Sequence, residues 1–180
     1  MEKKKSHLYF VDALGVEFLA YIQEQCYKRG LDFSAKIGYC NLPSITSMNK
    51  EFVDEFSSCT SIKSLDELKH DGQFDYNYEK VKQPIHLVEE LAIIDEVISI
   101  IDSDLQQGSL EQVFIVSDHG SSRMAVIAES ENKWEMSEKG QHSGRCCPKS
   151  DLDIKPDCTI EENDFYILLN YDRFKGGRKG

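Results

Sequence analysis

The stretch Val113-Phe114-Ile115-Val116-Ser117-Asp118-His119-Gly120 opens with four apolar or β-branched residues and closes on an acid, an imidazole and a glycine. Such a run reads as a short buried strand. Strand ends in open α/β sheets are where ligands bind. There, Asp118 and His119 can offer a carboxylate oxygen and a ring nitrogen to one metal ion. The plain alternative is a polar turn after a strand, in which Gly120 supplies a backbone angle closed to other residues.

Upstream, His7 to Val11 reads as another buried strand, and Asp12 stands at its end as Asp118 does at the other. Ala13-Leu14-Gly15 turns the chain. Leu14, Phe18, Ile22 and Cys26 then repeat at helical spacing, with Lys28 and Arg29 in the last turn and Gly30 at the stop. Phe33 to Cys40 is a further strand candidate. In Asn41-Leu42-Pro43-Ser44-Ile45-Thr46-Ser47-Met48, Pro43 disfavours helix just before it. Thr46 or Ser47 can cap a helix carrying Phe52, Val53 and Phe56. Ser57 to Gln83 is polar, with a turn signal at Asp71-Gly72, and reads as a surface excursion. Pro84 opens the clearest helix, whose stripe is Leu87, Leu91, Ile94, Ile98, Ile101 and Leu105, and Gly108 ends it. Beyond the central stretch, Ser121 to Ala128 is helix or strand, and Glu129 to Pro156 is loop-rich apart from Trp134. Phe165 to Leu169 is a last strand. Strands alternating with helices predict an α/β fold with a largely parallel sheet flanked by helices.

A length of 180 residues suits one domain, spanning 1–180. Hydrophobic residues at 40% and charged residues at 29% are ordinary for a globular chain. No apolar run is long enough to span a bilayer. Asp12 interrupts the first apolar segment, so no signal-peptide core follows the basic start, and the chain reads as cytoplasmic. A net charge of −11 repels nucleic-acid backbones, which argues against a pure DNA-binding module. The six cysteines contain no Cys-x-x-Cys pair, which favours reduced thiols. His142, Cys146, Cys147 and Cys158 match no common structural zinc spacing.

Asp12, Thr46, Asp118 and His119 thus fall at ends of predicted elements. Two carboxylates, an imidazole and a hydroxyl suit a divalent metal, zinc ahead of manganese. A hydroxyl beside a metal can become a nucleophile, and a helix start below it favours phosphate. Each residue also has an ordinary role: Thr46 as a cap, Asp12 as a turn former, His119 as a buried histidine with one partner.

The order of these motifs resembles the alkaline phosphatase superfamily. Within it, the chain is similar to the PglZ family of bacterial phage-defence systems of the BREX type. The closer resemblance rests on Leu42-Pro43-Ser44-Ile45-Thr46, on Ser117-Asp118-His119-Gly120-Ser121-Ser122-Arg123 and on Tyr171-Asp172-Arg173-Phe174-Lys175-Gly176-Gly177. It implies a metal-dependent phosphatase or phosphodiesterase. One metal would be held by Asp12, Thr46, Asp118 and His119, with Thr46 as the nucleophile. It also implies a phosphate-ester substrate, nucleic acid or nucleotide among the options, and other defence proteins as partners.

The second metal site of the superfamily needs an Asp and a His four residues apart, and Gln83 to Gln112 contains no such pair. His86 is the nearest candidate. His142 is the stand-in for a closing histidine that the family carries beyond the point where this chain stops. Two explanations compete, a domain excised from a longer protein and a protein with only one complete metal site; the cationic end, with Arg173, Lys175, Arg178 and Lys179, favours excision. Arg123 and Arg145 are candidates for holding phosphate, since a guanidinium fork matches its oxygens. The alternatives are a non-catalytic scaffold of a defence complex and another superfamily enzyme such as a phosphomutase. A sulfatase is disfavoured because Thr46 cannot become formylglycine.

Overall fold

The structure, a computed structural model, describes residues 5–56, 58–70, 86–120, 132–135, 145–170 and 173–175. It divides into two compact units, one of Met1–Cys40 with Asn49–Ser121 and one of Asn41–Met48 with Ser122–Gly180.

The first unit is built on β1 (Ser6–Val11), the middle strand of a three-stranded parallel sheet. Its neighbours are β2 (Cys59–Ile62) on one side and β3 (Gln112–Val116) on the other. The register pairs Val11 with Ile62 and Phe10 with Val116. The chain therefore leaves β1 toward one edge and later returns to the other. This order places a topological switch point between β1 and β3, where an open α/β sheet forms a crevice at its carboxyl end. Asp12 follows β1 directly, and Asp118 lies just beyond β3.

Helix α1 (Leu19–Lys28) follows a short 3-10 turn at Val16–Phe18. It buries Ile22 and Cys26, and the turn before it buries Phe18, as their spacing requires. Its end is a Schellman motif. Gly30 adopts a φ of 69°, Gly30 N–H donates to Tyr27 O at 3.0 Å, and Leu31 N–H donates to Cys26 O at 3.0 Å. Helix α4 (His86–Gln106) presents Ile94, Val97, Ile98 and Ile101 to the same core. Tyr9 and Val11 meet that core from β1, and Leu65 meets it from α3 (Ser64–His70). The opposite side of the sheet carries Phe10 and Phe114. These make edge-on ring contacts with Phe52 and Phe56.

Several expectations change. Phe33–Cys40 forms no strand, because the ladder position beside β1 is taken by β2. Both β2 and α3 lie inside the stretch read as a polar excursion. The helix expected around Phe52 is instead a single turn, α2 (Thr46–Asn49), followed by a 3-10 segment at Glu51–Glu55. Ser121–Ala128 lies outside the described residues.

The second unit differs in kind. β5 (Cys146–Pro148), β7 (Phe165–Leu168) and β6 (Thr159–Glu162) form an antiparallel sheet with β7 in the middle. β4 (Asn132–Glu135) pairs in parallel with β8 (Arg173–Lys175). Cys147, Leu168 and Phe174 are its buried centre. The last predicted strand is thus real but antiparallel, and the parallel sheet with its helices belongs to the first unit.

Candidate metal centre

Parallel neighbours lie roughly 4.8 Å apart, so side chains leaving adjacent strand ends can meet. Asp12, Asp118 and His119 do so, with one donor atom from each inside a common 4.8 Å separation. Asp12 is 6% exposed and Asp118 4%. His119 Nε2 stands 3.4 Å from Asp118 Oδ2 and 3.7 Å from Asp12 Oδ1.

Local hydrogen bonds aim these groups. His119 N–H donates to Asp118 Oδ1 at 2.9 Å, which holds that oxygen back against the loop. The other oxygen, Oδ2, is buried without a hydrogen-bond partner. His119 Nδ1 lies 2.9 Å from the Gly120 carbonyl, which can only accept, so Nδ1 carries the proton. Nε2 faces the carboxylates. Ser117 Oγ donates to the His119 carbonyl at 2.7 Å and braces the turn.

The Nε2–oxygen separations exceed the usual hydrogen-bond range of about 2.7–3.2 Å. One donor atom from each of the three residues faces a common space within ion-pair distance of the others. Two buried carboxylates side by side are costly unless a cation compensates them. The Asp118 Oδ2 that lacks a hydrogen-bond partner and Nε2 of His119 fit a divalent metal, and this group can hold one.

The backbone holds two features that the residue types did not announce. Ala13, next to Asp12, has a φ of 58°, a left-handed conformation that costs an L-residue about 1–2 kcal/mol. Gly120 does not occupy that region, which the plain-turn alternative would have required of it; among the described residues the left-handed glycines are Gly30 and Gly108. Gly120 serves close approach instead. A Cβ at Gly120 would lie 3.1 Å from Gly15 Cα. The loops after β1 and β3 touch through two bare backbones.

The other expected site residues are distributed as follows. Thr46 opens α2 and belongs to the second unit. His86 opens α4. Arg145 Nη2 donates to Leu168 O at 3.1 Å, and Leu168 N–H donates to Arg145 O at 2.9 Å, so this arginine braces the β5–β7 pair. Arg123 and His142 lie outside the described residues.

Compared with protein-family models, with curated proteins and with solved structures, the chain matches none. No described helix is long and apolar enough to cross a membrane.

Proposed function

We propose that this chain carries the metal-holding part of a phosphate-ester hydrolase of the alkaline phosphatase type, similar to the PglZ family. The observation that carries the reading is the convergence of Asp12, Asp118 and His119 around the Asp118 Oδ2 that lacks a hydrogen-bond partner. Zinc is favoured over manganese. Bonds of about 2.0–2.1 Å at the tetrahedral angle separate ligand atoms by about 3.3–3.4 Å, close to the Nε2–Oδ2 spacing. A bound metal supplies charge for the phosphoryl oxygens and for an ionised nucleophile.

Asp12, Asp118 and His119 hold that ion in this reading, with His119 kept in one tautomer by the Gly120 carbonyl. Thr46 is the nucleophile, on the strength of the sequence resemblance. Its Oγ1 loses a proton and forms the bond to phosphorus as the ester oxygen leaves with a proton. Water then cleaves the Thr46 phosphoester and releases phosphate or a phosphomonoester. A diester is the favoured substrate, with defence proteins as partners and the cytoplasm as the compartment.

Hydrolysis of bis-(p-nitrophenyl) phosphate and of p-nitrophenyl phosphate by the full-length protein tests this reading. Thr46→Ala and Asp118→Ala are expected to abolish turnover while leaving the circular-dichroism spectrum unchanged. Turnover at the wild-type rate by either variant contradicts it. Zinc binding without hydrolysis by the wild type would favour a scaffold role instead.

A further inference from the structure

The metal-centre reading leaves open what sets the distance between its two halves. Asp12 belongs to the loop after β1, and Asp118 with His119 belongs to the loop after β3. The ligand side chains meet across these two loops. The loop backbones also meet, at Gly15 and Gly120.

We propose that Gly120 is a positioning residue of the metal centre: its bare backbone, seated on Gly15, sets the Asp12-to-His119 spacing and orients the imidazole. The inference rests on the metal-centre reading. Two independent features of Gly120 converge on it. Its carbonyl accepts the His119 Nδ1 proton at 2.9 Å and so fixes both tautomer and ring direction. Its missing side chain lets the β3 loop lie against Gly15, where a Cβ would come to 3.1 Å from Gly15 Cα and 3.9 Å from Gly15 N. The obstacle is backbone, so a methyl group there moves a loop rather than a side chain. Metal–ligand distances tolerate only about 0.2 Å, less than the shift needed to seat that methyl comfortably.

Gly15 makes the opposite case. The atoms nearest to a Cβ there all belong to the Glu17 carboxylate. Glu17 is exposed, so the obstacle there is the end of a side chain and not backbone. The inference therefore predicts an asymmetry between two glycines that touch each other.

Cobalt(II) and zinc titrations of the full chain read this directly. Wild type, Gly120→Ala, Gly15→Ala and Asp118→Ala are compared by affinity and by the visible bands of bound cobalt. Metal-free melting is followed in parallel, to separate affinity from stability. Gly120→Ala is expected to weaken binding about tenfold or more and to alter the cobalt spectrum, as loss of a ligand-orienting partner does. Gly15→Ala should lose less affinity than Gly120→Ala, because its nearest obstacle is a side-chain end. Should Gly120→Ala not fold, the double variant with Ala13→Gly frees the β1 loop to retreat and carries the same expectation. Wild-type affinity and spectrum in Gly120→Ala overturn the inference, as does an equal loss in both glycine variants. Undiminished binding by Asp118→Ala, or none by wild type, overturns the metal-centre reading and the inference with it.

Discussion

Tyr9 is 3% exposed on the helix-facing side of β1, and its hydroxyl donates to Asp104 Oδ2 of α4. Burial first, and then the Asp104 carboxylate, push its pKa from 10.0 up to about 12. The fold thus favours the neutral phenol. The stability this contributes is complete below the ordinary tyrosine value and is lost as pH rises through the folded one. Denaturant midpoints should therefore fall between about pH 10 and 12, a trend that Tyr9→Phe reduces. At neutral pH the same variant should lose about 1.5–3 kcal/mol, the usual contribution of a hydrogen bond to a charged group. Cys147 is also held neutral, pushed up to about 12 by burial, then by Asp151 and Cys146. A thiol reagent at pH 8, well above neutrality but below that value, should label exposed Cys40, Cys59 and Cys158 while sparing Cys147. At this level the sequence was informative where chemistry resides in a side chain. Asp12, Asp118 and His119 were readable because each follows a run that had to be a buried strand. Ala13 and Gly120 were not, since a left-handed alanine and a backbone approach are dictated by neighbours distant in sequence.

The strand and helix that were plain in the sequence are those whose apolar residues all face one core. Helix α4 is the strongest case. Ile98 is 1% exposed in its middle, and Ile98→Ala should cost about 3 kcal/mol in chemical denaturation. Gly30 isolates a different contribution. A Cβ there would meet nothing within 4 Å, so Gly30→Ala measures the left-handed backbone alone and should cost about 1 kcal/mol. A wild-type midpoint for that variant would show that α1 does not end in the motif described. β2 was hidden for a physical reason. Its residues Cys59, Thr60 and Ser61 are exposed, and only Ile62 is partly buried, so an edge strand left almost no apolar signal. Phe33–Cys40 had more apolar character but no free ladder beside β1. Pairing, which no local pattern encodes, decided between them.

The chain carries 32 acidic residues against 21 basic ones, and two of the acids are buried at one sheet end. A divalent cation placed there relieves both the local repulsion and part of the overall charge. Any ligand that binds only the folded state stabilises it, by about 2.7 kcal/mol at a hundred times its dissociation constant. Zinc should therefore raise the melting temperature of the wild type, EDTA should reverse the rise, and Asp118→Ala should show neither effect. The most direct test is the metal content of the purified chain, by elemental analysis after incubation with zinc and removal of the excess. The account predicts bound zinc in the wild type and its loss in Asp118→Ala, with the same fold in both. A wild type that stays metal-free, or an Asp118→Ala variant that keeps its zinc, would contradict the metal centre formed by Asp12, Asp118 and His119.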